Sequence, residues 1–186
     1  MILIVRKEKV RFLAESGIMI ALATILSMIK VYEAPFGGSV TAGSMIPIIL
    51  IGIRWGTLPG ILTGIVYGIL QAVLEPYIVH PVQFLLDYPI AFGLLGLSGI
   101  YRTITSIRLE NKKLEYFGLI AGIFVAILGR FLSHVLAGVV FFSENATDIN
   151  SWLYSLGYNG SYLSLEFIIS IITIVLLWKP IKRVIK

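Results

Sequence analysis

Apolar runs of about twenty residues, separated by short polar segments, fill almost the whole chain and leave it one solvent in which to fold: a lipid bilayer. Hydrophobic residues make up 58% of the 186 and charged residues 13%, with a mean hydropathy of +0.94. A water-soluble domain carries about a quarter charged residues, so this chain lacks the polar surface to cover a core in water. Charge placement strengthens the point. Thirteen of the fifteen Lys and Arg residues fall into four clusters: Arg6, Lys7, Lys9, Arg11; Arg54; Arg102, Arg108, Lys112, Lys113; and Lys179, Lys182, Arg183, Lys186. The alternate connections carry Glu33, Glu75, Glu144 and Asp148 instead. This alternation is the positive-inside pattern of a multi-pass membrane protein. Lys30 and Arg130 stand outside it.

The formal charge of +5 therefore points to anionic lipid headgroups as partners and not to nucleic acid. With no Cys there are no disulfides or thiolate metal sites. The basic N-terminus followed by Ala21-Leu22-Ala23 imitates a signal peptide, but Glu15 and Ser16 interrupt the apolar stretch, and hydrophobicity continues past Ala23. An uncleaved first span is expected.

A membrane-crossing helix needs about 20 apolar residues. On that scale the spans fall at about residues 12–31, 40–53 (short, with Pro47), 58–74, 82–101, 117–142 and 161–178. Six spans place both termini on one side, and the basic clusters make that side cytoplasmic. The expected fold is an all-α integral membrane protein, a six-transmembrane-helix bundle forming a single membrane domain over residues 1–186. Its longest external loop runs from Ser143 to Gly160, a length often tied to function.

Ionisable groups inside spans are costly and mark function by default. Asp87 lies in the fourth span near its external end, followed by Tyr88. Arg130 and His134, four apart in the fifth, share a helix face. Tyr77, Phe36, Gly37, Gly38, Phe142, Tyr154, Tyr158 and Asn159 belong to the external connections. Together they suggest an outward pocket with one carboxylate, an imidazole, a guanidinium and several aromatic faces. Such a pocket suits a flat, partly cationic heterocycle, because aromatic faces attract cations and a carboxylate pairs with an amidine-like edge. A simpler reading pairs Asp87 with Arg130 as an interhelical salt bridge, takes the aromatics as an interfacial belt, and makes Asn159-Gly160 a turn or the cap of the last helix. Glu15 and Glu166 are expected to pair or snorkel near span ends. Ala14, Gly17, Ala21 and Thr24 form a stripe of small residues on the first span, suited to internal packing or to docking a second membrane protein.

The absences narrow the field. No G-x-x-x-x-G-K-[ST] loop is present, so ATP hydrolysis by that route is excluded. Two His without Cys, and no H-E-x-x-H, make a zinc enzyme a poor fit. No cofactor is called for. Two rivals to a binding protein stay open at this point: an intramembrane enzyme using Asp87 and His134 as an acid–base pair, and a structural membrane subunit.

The segments Pro35-Phe-Gly-Gly-Ser-Val-Thr41 to Ile46-Pro47, His80-Pro-Val-Gln-Phe-Leu-Leu-Asp-Tyr-Pro89, Arg130-Phe-Leu-Ser-His-Val-Leu-Ala-Gly138 and Tyr154-Ser-Leu-Gly-Tyr-Asn159 carry a resemblance. With them the chain resembles the thiamine-specific substrate-binding component of energy-coupling factor transporters, over nearly its whole length. The resemblance implies a non-enzymatic subunit of the bacterial cell membrane that captures extracellular thiamine. Uptake would then be driven by a transmembrane coupling subunit and two ATP-binding subunits. It further implies that Asp87 binds the aminopyrimidine, with Tyr88, Tyr154 and Asn159 around that ring. His134 would face the thiazolium and Tyr77 the hydroxyethyl end, with Arg130, Phe142, Phe36 and Gly38 completing the site. Ala14, Gly17 and Ala21 would dock the coupling subunit, although Ile25 breaks the next step of the spacing. Within the same class, a component for another heterocyclic vitamin, or a solitary carrier, is the alternative.

Overall fold

The structure, a computed structural model, describes residues 2–106, 112–146 and 149–185. Arg108, Asp148 and Lys186 of the charge pattern lie outside the described residues, as does the side chain of Arg6. The elements in chain order are α1 (Ile2–Ser27), a hairpin of β1 (Lys30–Glu33) and β2 (Ser39–Thr41), α2 (Ile46–Trp55), α3 (Thr57–Leu74), an interrupted helix α4 (Pro81–Thr105), α5 (Lys112–Phe141), α6 (Ser151–Leu176) and α7 (Trp178–Ile185). Five of these are long and apolar enough to cross a membrane: α1, α3, α4, α5 and α6.

Helix α2 has ten residues, and at about 1.5 Å per residue it covers half a bilayer. Pro47, Ile48, Ile49, Ile51, Gly52 and Ile53 on it are buried, so its short length and the non-helical chain before it are shielded by protein. That is the condition under which irregular backbone survives at membrane depth. The expected second span at 40–53 thus splits into β2, a loop and a short core helix. The turn into α3 is made by Gly56 at φ +101, a conformation open to glycine without strain.

The core is built where α3 meets α4. Gly60, Gly64 and Gly68 lie at four-residue spacing on α3 and let the two backbones touch. A Cβ on Gly64 would stand 2.2 Å from the Phe92 carbonyl oxygen, and one on Gly68 2.4 Å from that of Tyr88. The expected fourth span is one element, but not one regular helix. Pro89 has no N–H to donate, so the chain widens over Leu86–Ile90, and the Ala91 N–H reaches back five residues to the Leu86 oxygen. Ser133 of α5 donates a second bond to that oxygen at 2.6 Å. A tighter 3₁₀ stretch follows over Leu94–Gly99.

The largest correction concerns the last external loop. Helix α6 starts at Ser151, capped by the Asn150 side chain accepting from the Trp152 N–H at 2.8 Å. The connection ends ten residues earlier than expected, and Asn159-Gly160 is neither a turn nor a cap. A further element, α7, closes the chain as a short helix with Lys182 and Arg183 in its last turn. Its Trp178 is buried and donates to Glu115 at 3.0 Å, while Lys182 pairs with the same carboxylate at 2.5 Å.

The basic clusters gather at one end of the bundle. There Glu15 pairs with Arg54 at 2.7 Å and with Arg11 at 3.0 Å, and accepts from Trp55 at 2.8 Å. Glu15 is therefore paired, as expected of a span-end acid. Glu166 departs from that expectation: it is 3% exposed and accepts from the backbone N–H and the hydroxyl of Thr41 at 2.6 and 2.7 Å. It ties the β2–α2 link to α6 instead of reaching for the interface. Helix α1 is mostly exposed along Leu13, Ile18, Leu22 and Ile25, which fits contact with lipid.

Candidate functional site

At the end of the bundle opposite the basic clusters, the hairpin, α4, α5 and α6 enclose a cavity with about 160 Å³ open to water. That is many times the space one water needs. All ten residues expected to bind ligand line it: Phe36, Gly38, Tyr77, Asp87, Tyr88, Arg130, His134, Phe142, Tyr154 and Asn159.

The widened turn of α4 turns Asp87 into the cavity, where both carboxylate oxygens are engaged. His134 Nδ1 lies 2.7 Å from Oδ1, and Gln83 donates through Nε2 to Oδ2 at 2.7 Å. Arg130 Nε donates to His134 Nε2 at 3.2 Å. That bond makes Nε2 an acceptor and assigns the ring proton to Nδ1, facing the acid. Arg130 thus reaches Asp87 through the imidazole, and the simple Asp87–Arg130 salt bridge is replaced by a relay of three. The guanidinium is stacked on the Phe92 ring, 4.1 Å from its centre. Each oxygen of Asp87 keeps lone-pair capacity beyond its one protein donor, so the acid can still accept from a guest.

Aromatic faces form the walls. Tyr77 stacks with Phe142 at 5.8 Å, Tyr154 with Tyr158 at 6.1 Å, and Tyr162 meets His134 edge-on at 6.4 Å. Tyr88 is fixed by its hydroxyl, which accepts from the Tyr77 N–H at 2.8 Å and donates to the Glu75 carbonyl at 3.0 Å. Asn159, 4% exposed on α6, accepts from Tyr162 and donates to the Ser155 carbonyl at 2.9 Å. The hairpin covers this chamber. Phe36 sits at φ +64, an uncommon conformation for a bulky residue and one concentrated at functional sites. Gly38 donates to the Tyr158 hydroxyl at 3.0 Å, and that hydroxyl donates to the Pro35 carbonyl. A side chain at Gly38 would meet the Tyr162 ring at 2.7 Å.

Sequence reasoning missed Gln83, Gln71, Phe92 and Tyr162, which also line the cavity. Gln83 had a readable signal, four residues before Asp87 on the same helix face; it is 1% exposed and also donates to the Tyr77 carbonyl at 3.0 Å. Ala14, Gly17 and Ala21 lie far from this chamber on the exposed face of α1, where a Cβ on Gly17 would meet nothing within 4 Å. Internal packing is therefore not their role. Among the described residues no group of three His, Asp or Glu is placed to hold a metal ion.

The family described as "Thiamine transporter protein (Thia_YuaJ)" matches residues 13–186. "Thiamine transporter ThiT" of Bacillus subtilis (strain 168) is 38% identical over 97% of this chain and 96% of its own length. The protein of the same name from Lacticaseibacillus paracasei is 30% identical over 70% of this chain and 68% of its own. A solved structure of ThiT from Listeria monocytogenes superposes with a TM-score of 0.84 at 26% identity, covering 96% of this chain and 98% of that one. Matched along nearly its whole length in sequence and in fold, this multi-pass membrane protein belongs to the thiamine transporter (Thia_YuaJ) family, whose members are transport proteins and not enzymes.

Proposed function

We propose that the cavity binds thiamine, with Asp87 holding the aminopyrimidine edge and the aromatic walls and His134 facing the thiazolium. The observation that carries this reading is a recessed carboxylate held, among the described residues, by an imidazole and an amide, in a chamber walled by Tyr77, Tyr88, Phe142, Tyr154 and Tyr162. A cationic ring gains from such faces, and an amino-pyrimidine can donate to the acid's free lone pairs. The pocket lies at the end opposite the basic clusters. By the positive-inside rule it opens to the outside, with both termini in the cytoplasm and α2 counted as a sixth, buried span.

The chain is the capturing subunit of an importer that does not energise itself. No phosphate-binding loop is present in the sequence, so ATP hydrolysis belongs to partner subunits, joined through a membrane coupling subunit as the sequence resemblance implies. Ala14, Gly17 and Ala21, exposed and small, offer that subunit a close approach on α1. The direct test is mass spectrometry of the small molecule that co-purifies, followed by titration of the emptied protein with thiamine. Recovery of thiamine and saturable binding are expected; an empty protein that does not respond to thiamine would overturn the assignment.

A further inference from the structure

An ion-pair triad that ligand capture leaves unused reaches the cavity wall through one member, Glu75. Lys30 on β1 reaches Glu33 at 3.0 Å and Glu75 at 3.1 Å. Glu75 lines the cavity just beyond the end of α3, two residues before Tyr77. Two carboxylates against one ammonium leave this rim with one net negative charge. Lys30 and Glu33 stand behind Glu75, outside the lining, and the cation among the described lining residues, Arg130, is already stacked on Phe92 and bonded to His134. Among the described lining residues, then, no unengaged cation waits at the mouth for an anionic group.

The orientation of the guest follows from where the acid sits. Asp87 is recessed, its side chain 16% exposed, and it takes the amino-pyrimidine edge. The far end of the molecule, which bears the hydroxyl, is left toward the rim. A phosphate ester on that hydroxyl would bring about two negative charges beside the Glu75 carboxylate. We propose that Glu75 selects the free alcohol over its phosphate esters, while Glu33 and Glu75 together hold Lys30 away from the cavity. This inference rests on the reading of the chamber as a thiamine site.

The experiment compares the Kd of thiamine with that of thiamine monophosphate, by titration at low salt, in wild type and in Glu75→Gln. Wild-type binding of thiamine is measured first; its absence would sink the functional reading and this inference with it, whereas thiamine binding with an unchanged preference in the variant sinks this inference alone. In Glu75→Gln the preference for thiamine over the monophosphate should narrow by about three-fold or more, the size expected of an exposed rim charge acting on a charged ligand. Glu33→Gln leaves the cavity wall untouched and releases one of the two holds on Lys30, so it should narrow the preference in the same direction. Adding Lys30→Gln to Glu75→Gln should remove part of the gain for the ester. High salt should shrink all these differences. A preference that stays within two-fold of wild type in Glu75→Gln, or that widens, overturns the proposal.

Discussion

The two ends of this bundle treat their carboxylates in opposite ways. At the basic end Glu15 is met by Arg54 and Arg11 and Glu115 by Lys182, and each also accepts an indole N–H, from Trp55 and Trp178. At the pocket end Asp87 is met by an imidazole and an amide, with the nearest guanidinium one residue further along the relay. A carboxylate closed by protein cations is a structural clasp. A carboxylate positioned by weaker donors retains attraction for a charged guest. Charge alone does not separate the two roles; the identity of the partner does.

The contrast can be broken most sharply at the acid itself. Asp87→Ala should weaken thiamine binding by at least about 2 kcal/mol, as for loss of a buried charged partner, while thermal unfolding in detergent changes far less than affinity. Titration and an unfolding scan on the same preparation check it, and affinity equal to wild type would remove Asp87 from the site. At the basic end the expectation inverts. Arg54→Met should leave thiamine affinity intact and destabilise the fold by about 1–2 kcal/mol, because among the described residues Glu15 then keeps the exposed Arg11 and the Trp55 N–H as partners. An affinity loss without a stability loss would erase the distinction between the two ends.

Smaller effects sharpen it. Gln83→Leu removes one donor to Asp87 and should cost about 1.5 kcal/mol of binding, read by the same titration. The smallest concerns Lys30, whose pKa is raised above its usual 10.5 by its hydrogen bonds to Glu33 and Glu75, against a lowering contribution from partial burial. A folded-state value above the unfolded one means the pairing stabilises fully below about pH 10.5 and is lost as pH rises through the higher folded value. The difference in unfolding temperature between wild type and Lys30→Met should therefore be present at pH 8 and fade above pH 10.5.

Much of this was legible in the chain. The helix-rich membrane architecture followed from hydropathy and the Lys/Arg bias, and the residues singled out around Asp87 do line one cavity. The boundary of the last span differs because hydropathy locates lipid-facing chain, and the stretch Ser151–Gly160 reads as loop by its polar residues. It is helical all the same, since Tyr154, Ser155, Tyr158 and Asn159 face the cavity and not the acyl chains. The relay through His134 was hidden for a different reason. Arg130 and His134 occupy one face of α5, and only the depth at which the widened turn sets Asp87 decides which of them it touches.

The glycine seam between α3 and α4 has a bearing on how such a pocket can diversify. With main chain resting on main chain at Gly64 and Gly68, the depth of the acid is dictated by peptide atoms that substitution cannot trim. New nutrient preferences would have to be written on α5, α6 and the hairpin, whose side chains can be exchanged while the anchor stays where it is.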